Sequence, residues 1–392
     1  MSWPDVRPMT RRRGWVCAAA AVLAFVGGPS SAGAQVPAAA APTLTIDVQV
    51  VDRDGQPMAG ITADKFNVEV NGRRRRVIEA RQADAGTTPG AEALEGRRVY
   101  FLVVDASTFG TGASTDAVSA LTTFVKTLPE GSLLGLVTFP AGPAVELTTD
   151  HGSVVTALAS VAGQRQPLRS GTFGLGVSDV VEYLSSNDRT EIARRYCGAE
   201  LSEDNACPQI LEQEANAMVN GLETQARSSL GMLADFTTRL QQIPGRKVVV
   251  LASAGLAVAA RSGGRPDVGN LPTELAEAVT RADIAFYTLL LDRLQDADQA
   301  QNARQASNAS ADREALGRWL DQFSTSMGGA LVRVQVGQES DAYARIANET
   351  GSFYQLILES ADADVTERPQ RLRVRVDARG ATVRARTLVK GR

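Results

Sequence analysis

The sequence predicts an α/β fold: a Rossmann-like, mostly parallel sheet with helices on both faces, flanked by small β segments at both ends. Three observations predict it. Val99 to Val104, Leu133 to Phe139, Lys247 to Ala252 and Ile284 to Leu291 are apolar runs suited to strands buried on both faces. Between them, apolar residues recur at spacings of three and four, the period of helices that bury one side. Near both ends the pattern turns to strict alternation, the mark of strands with one wet face.

Taken in order, residues 1–34 read as a secretory signal peptide. Arg11, Arg12 and Arg13 form a basic region, Val16 to Val26 is an apolar run, and Ala32-Gly33-Ala34 is a cleavage signal. The run is shorter than the roughly 20 residues that span a bilayer. No other segment reads as a membrane span. The expectation is export, to the periplasm, the cell envelope or the exterior, with cleavage near Ala34. Residues 35–42 are an Ala/Pro-rich flexible lead. Residues 43–83 predict a small β module: Leu44, Ile46, Val48 and Val50 alternate with Thr45, Asp47 and Gln49. Asp52 to Gly55 is a turn, and Phe66–Val70, Asn71-Gly72 and Arg73–Ala80 read as a hairpin.

Residues 98–360 carry the α/β alternation. After the first buried run, Val118, Leu121, Val125 and Leu128 predict a helix capped by Ser114 or Thr115, and Asp150 caps a second with Val154, Val155, Leu158 and Val161. Gly174–Leu184, Pro208–Gln242 and Thr273–Ala282 read as further helices, and Pro244-Gly245 ends the long one. Asp292 to Asp312 is polar and reads as a loop or frayed helix. Helices at Trp319–Met327 and Ser340–Glu349 alternate with strands at Leu331–Val336 and Phe353–Leu358. In 361–392, Leu372, Val374 and Val376 alternate with Arg371, Arg373 and Arg375 before a turn at Asp377–Gly380 and a strand at Thr382–Val389. That reads as a terminal hairpin with an arginine face.

Composition excludes several chemistries. The 392 residues include one histidine, His151, and three cysteines, at net charge −3. Paired-histidine metal sites, four-thiolate zinc and iron–sulfur clusters are excluded, and nothing marks a nucleic-acid binder. Gly110-Thr111-Gly112 and Gly171–Gly176 lack a P-loop lysine, and Ser253 lacks the first glycine of a nucleophile elbow. No catalytic residue is assigned and no enzyme activity is expected. Beyond Cys17 in the leader, Cys197 and Cys207 form an even pair in an exported chain, which points to a disulfide closing a short loop.

In open α/β sheets, ligands bind beyond the carboxyl ends of the strands where strand order reverses. Three loops there are informative: Asp105-Ala106-Ser107-Thr108-Phe109, Ser170-Gly171-Thr172-Phe173 and Ala252-Ser253-Ala254-Gly255. Their spacing resembles that of a von Willebrand factor type A domain, in which such loops build a metal-ion-dependent adhesion site. The β pieces around 48–72 and 351–386 resemble those flanking the domain in exported bacterial members of that family. Asp105, Ser107 and Thr172 match the family's metal ligands. Phe109 stands where a second serine is expected, and Ser253 where the family has its last aspartate.

The resemblance therefore implies a degenerate site taking at most one divalent cation (Mg²⁺, Mn²⁺ or Ca²⁺), or an Asp105 that only caps its own turn. It implies a protein partner, met through loops that include Ser253, Arg261 and Arg265. The reading that follows is an exported interaction or adhesion module. The alternative is a non-catalytic envelope scaffold with a vestigial site and contacts made by the β flanks. Arg73–Arg76 and the Arg371, Arg373 and Arg375 stripe suit an acidic partner or anionic lipid, or merely a solvated strand edge that resists pairing.

Overall fold

The computed structural model describes residues 43–84, 98–165, 171–185, 189–198, 206–259, 263–291, 309–334, 339–361, 364, 366 and 368–390. The expected signal peptide, the lead at 35–42 and Arg261 lie outside them. The expected α/β fold is present. Its sheet contains Val99–Asp105 (β5), Leu133–Phe139 (β6), Ala144–Thr148 (β7), Lys247–Ser253 (β8), Ile284–Leu290 (β9) and Leu331–Arg333 (β10), in the order β7-β6-β5-β8-β9-β10. All neighbours run parallel except β7, which returns antiparallel beside β6. Because β5 is followed by β6 on one side and by β8 on the other, strand order reverses between β5 and β8. The crevice expected of such sheets lies beyond their carboxyl ends.

Alternation along β5 divides the core. Tyr100, Leu102 and Val104 face one side, against Ser114–Thr127 (α1), His151–Leu158 (α2) and Glu339–Glu349 (α8). Val99, Phe101 and Val103 face the other, against Cys207–Arg239 (α5), Leu271–Arg281 (α6) and Ala309–Ser326 (α7). Asp150 caps α2 as expected, accepting from the N–H groups of Gly152 and Ser153 at 3.0 and 3.3 Å. The cap expected at Ser114 or Thr115 is not formed. Ser114 is already helical, and its hydroxyl instead accepts from Gly163 N–H at 2.9 Å. Helix α7 begins well before Trp319, absorbing part of the polar stretch.

The flanks differ most from expectation. Thr43–Val51 (β1), Phe66–Val70 (β2), Arg73–Arg75 (β3), Val77–Asp84 (β4), Ser352–Glu359 (β11), Gln370–Val376 (β12), Thr382–Arg384 (β13) and Leu388–Val389 (β14) form two four-stranded sheets, β13-β1-β11-β4 and β14-β12-β2-β3. Their inner faces share one core, including Ile46, Val48, Phe66, Val68, Leu356 and Leu372. The two ends of the chain thus build one β-sandwich. Strand β11, grouped with the α/β segment in the sequence reading, belongs to this sandwich by its pairing with β1 and β4. The terminal hairpin is present only at its base, where β12 pairs with β14; the rest of β12 pairs with β2, while β13 pairs with β1. The hairpin at Asn71-Gly72 is present, with both residues at positive φ (50° and 75°) as a type I′ turn requires. Its second strand breaks at Arg76, and the chain crosses to the other sheet as β4.

Polar groups join the sandwich to the amino end of the α/β sheet. Arg386 donates to Asp283, in the turn before β9, at 2.5 Å. Glu349, fully buried, accepts from Arg345 at 2.9 Å, Tyr287 at 3.3 Å and Arg384 at 3.5 Å, and the Tyr287 hydroxyl reaches Gln49 on β1 at 3.2 Å. Asp47 of β1 lies in this seam. Burial, reinforced by the charge of Asp283, pushes its carboxyl up to about 6.

Candidate functional site

The switch-point loop begins where β5 ends. Asp105 is 1% exposed, and its Oδ1 accepts from Ser107 Oγ at 2.6 Å and Ser107 N–H at 3.2 Å, closing the single 3-10 turn Ala106–Thr108. Helix α5 lies over this turn. Gln225 donates to the Ser107 carbonyl at 2.7 Å, and the Ser229 hydroxyl is 3.3 Å from that of Ser107. Phe109 points down rather than toward a ligand, fully buried in the core between sheet and α1. On the other side, the segment after α2 presses against the loop. A Cβ on Gly163 would lie 2.2 Å from the Gly110 carbonyl, so only glycine allows this approach.

Ser253, at the end of β8, is also fully buried. Its hydroxyl accepts from Gly255 N–H at 3.0 Å and lies 3.4 Å from that of Thr108, which donates to the Asp105 carbonyl at 2.7 Å and accepts from Ala254 N–H at 2.9 Å. Ser253 therefore ties the ends of β5 and β8 together and presents nothing to a partner. The expectation of a contact there is corrected, because its oxygen is used in the turn. Arg265 is likewise engaged. Its guanidinium pairs with Glu223 of α5 and donates to Asn220 at 2.8 Å, and Glu223 also accepts from Asp267 N–H at 2.7 Å.

Thr172 stands apart. It is exposed, and its N–H and that of Phe173 donate to the Glu214 carboxylate at 2.5 and 3.1 Å. Among the described residues no hydrogen bond joins it to Asp105 or Ser107: the structure ties Asp105, Ser107 and Ser253 into one network through Thr108, while Thr172 is held by Glu214. Beyond Thr172, Val177–Ser185 (α3), Thr190–Cys197 (α4) and the start of α5 form a helical insertion with its own core of Val180, Tyr183, Ile192, Leu211 and Val219. Cys197 and Cys207 are disulfide-bonded across it, as expected.

A hard divalent cation takes six or more oxygens, several of them carboxylate. Asp105 Oδ2 is buried without a hydrogen-bond partner among the described residues, the one feature that suits a ligand. The rest of the set does not fit. Phe109 supplies no donor, and the Ser253 oxygen is spent. Among the described residues, no three His, Cys, Asp or Glu side chains come together to hold a metal.

His151 Nε2 lies 3.0 Å from the Ser132 carbonyl and 3.4 Å from its hydroxyl, at the amino end of β6 and so at the opposite end of the strand from these loops. The residues that sequence reasoning missed are on α5: Glu214, Glu223, Gln225 and Ser229. Gln225 and Ser229 share a face at i, i+4 spacing, the one signal that could have found them.

Comparison with protein-family models and with curated proteins gives no match. Among solved structures, the chain is similar to an aerotolerance-related membrane protein from Bacteroides fragilis NCTC 9343 carrying multiple mutations to serines. That likeness has 13% identity over 64% of this chain and 98% of that one, at TM-score 0.31. A von Willebrand factor type A protein from Catenulispora acidiphila matches at 10% identity over 86% and 75%, TM-score 0.29. The conserved hypothetical protein BatB from Bacteroides thetaiotaomicron matches at 12% identity over 54% and 99%, TM-score 0.20. These scores are low, and the fold class rests on the strand order and connections described above.

Proposed function

We propose that this chain is a non-catalytic protein-interaction module that meets its partner at the carboxyl end of the six-stranded sheet, without a cation. The observation that carries this reading is where the chain puts its largest elaboration. The disulfide-closed helical insertion lies between β7 and β8 in sequence, and its helix α5 runs on to the switch-point loop, where Gln225 and Ser229 meet Ser107. Ligands of open α/β sheets bind at that end, and binding residues concentrate on loops held by a rigid scaffold. The buttons between Asp105, Ser107, Ser229 and Thr108 make such a scaffold. A disulfide suits the exported setting inferred from residues 1–34.

Two measurements test the reading. A photo-crosslinking residue at Thr172 should capture a partner from an envelope extract, and one at Glu79 on β4 should not. Crosslinks arising only from the sandwich would move the function to the scaffold reading. Thermal melts in EDTA and in Mg²⁺, Mn²⁺ or Ca²⁺ should superimpose. A cation at about 100 times its Kd would add about 2.7 kcal/mol. A rise in Tm that Asp105→Asn abolishes would overturn the cation-free reading.

A further inference from the structure

The outer face of the sheet β14-β12-β2-β3 carries a charge pattern that the carboxyl-end crevice does not use. Register places Arg373, Glu69 and Arg74 side by side on three adjacent strands, and Arg375 opposite Asn67. Cross-strand partners share a face. Since Leu372, Val68 and Val70 of the intervening positions point into the sandwich core, Arg371, Arg373, Arg375 and Arg74 all point out. All four are exposed, and among the described residues none of their side chains has a hydrogen bond or ion pair. Glu69 is the single acid on the face. The neighbouring Arg75 shows the contrast: it turns inward and grips Asp364 through two nitrogens at 2.7 and 2.8 Å.

Protection of a strand edge applies to Arg74, Arg373 and Arg375, but it does not require that every charge carry the same sign. Charges blunt edges because edges have unpaired backbone groups. Strand β12 is paired along Leu372–Val376 with β2, but with β14 only at Gln370 and Arg371. Three arginines in a row, about 7 Å apart along this strand, repel one another. Arg74 lies about 10 Å across from Arg373, two strand spacings away. The result is an array of guanidiniums spread over two strands, each shaped to hold phosphate oxygens in bidentate fashion.

We propose that this face docks on an anionic phospholipid membrane. Charge complementarity argues for it: four exposed arginines spread over adjacent strands match many separate phosphates better than one. The face carries no exposed large hydrophobic side chain; the two such residues in the described structure are Ile78 and Ile210, on β4 and α5. Binding is therefore electrostatic, at the headgroups, without insertion. The sandwich joins the amino end of the α/β sheet, so a docked molecule turns its carboxyl-end loops away from the joint.

The test is flotation of the purified protein with vesicles of phosphatidylcholine alone or mixed with phosphatidylglycerol. Binding is expected only to the anionic vesicles, and should disappear at high salt. Each arginine changed to alanine should weaken it about fivefold, and the triple change Arg371→Ala, Arg373→Ala, Arg375→Ala about a hundredfold. These exposed positions should leave the thermal melt unchanged, which separates lost binding from lost fold. Failure to bind anionic vesicles overturns the proposal, as does binding that the triple variant retains. Capture of soluble poly-glutamate in preference to vesicles would give the face to an acidic protein instead, and would overturn it too. Crosslinking from Thr172 reads the other end of the molecule, so the two readings fail separately.

Discussion

At Phe109 a single side chain decides what the switch-point loop can be. The phenyl ring fills the core beneath the loop, fully buried, and offers no oxygen to a ligand. Phe109→Ala should therefore destabilise the fold by about 3–5 kcal/mol, measured by denaturant unfolding, with no gain of metal response. Asp47 offers a pH test. Its folded carboxyl titrates at about 6 against an ordinary 3.8, because it is buried and beside Asp283. The folded state thus holds this proton more tightly than the unfolded state does. The resulting stability is complete below about pH 3.8 and is lost as pH rises through about 6. Asp47→Asn should be more stable than the wild type at pH 8, on the order of 2 kcal/mol, with the gap closing below pH 4. The position of Asp105 at the end of a buried strand was legible in the sequence, since an apolar run that stops at a carboxylate marks the carboxyl end. The burial of Ser253 was not. It depends on the Thr108 hydroxyl, which lies far away in sequence and meets Ser253 only when β5 and β8 pair.

Among the elements, buried parallel strands and long helices were the most legible, because periodicity and apolar runs are local. β7 was missed: its five residues are short and half-exposed, with neither a full apolar run nor clear alternation. The partners of the flanking strands were not legible either. Alternation tells which face of a strand is wet, yet says nothing about which strand lies beside it. Thus β12 and β13 look like a hairpin and in fact join different sheets. The disulfide belongs to this scale. Reducing Cys197–Cys207 should release the end of α4 from the start of α5, a local constraint worth roughly 2–4 kcal/mol. Hydrogen exchange should then accelerate in α4 while β5 and β8 keep their protection.

For the molecule as a whole, the six-stranded sheet is set into the sandwich: the chain leaves it after β4 and returns at β11. Shortening the chain to residue 360 removes β12, β13 and β14 and uncovers the inner faces of β1 and β2. That variant should lose the sandwich, seen as exposed apolar surface binding a hydrophobic dye and as proteolysis within residues 43–84. The α/β sheet, with its own two-sided core, should resist longer.

The same pairing of distant strands has a consequence in time. Val70 meets Leu372 and Thr43 meets Glu359, so apart from the local β2–β3 hairpin the early strands find these neighbours only after some three hundred residues have followed. Closing so long a loop in an open chain carries a large entropic penalty. Once the α/β sheet is formed, it holds Arg98 against Gly351, the nitrogen 3.1 Å from the carbonyl, and shrinks that loop to the width of a domain. In pulse-labelled refolding, amides of β5 and β8 should therefore gain protection before those of β1 and β2. Until then β1 stays unpaired and the β2–β3 hairpin keeps its inner face open, the kind of exposed apolar surface that a holdase recognises.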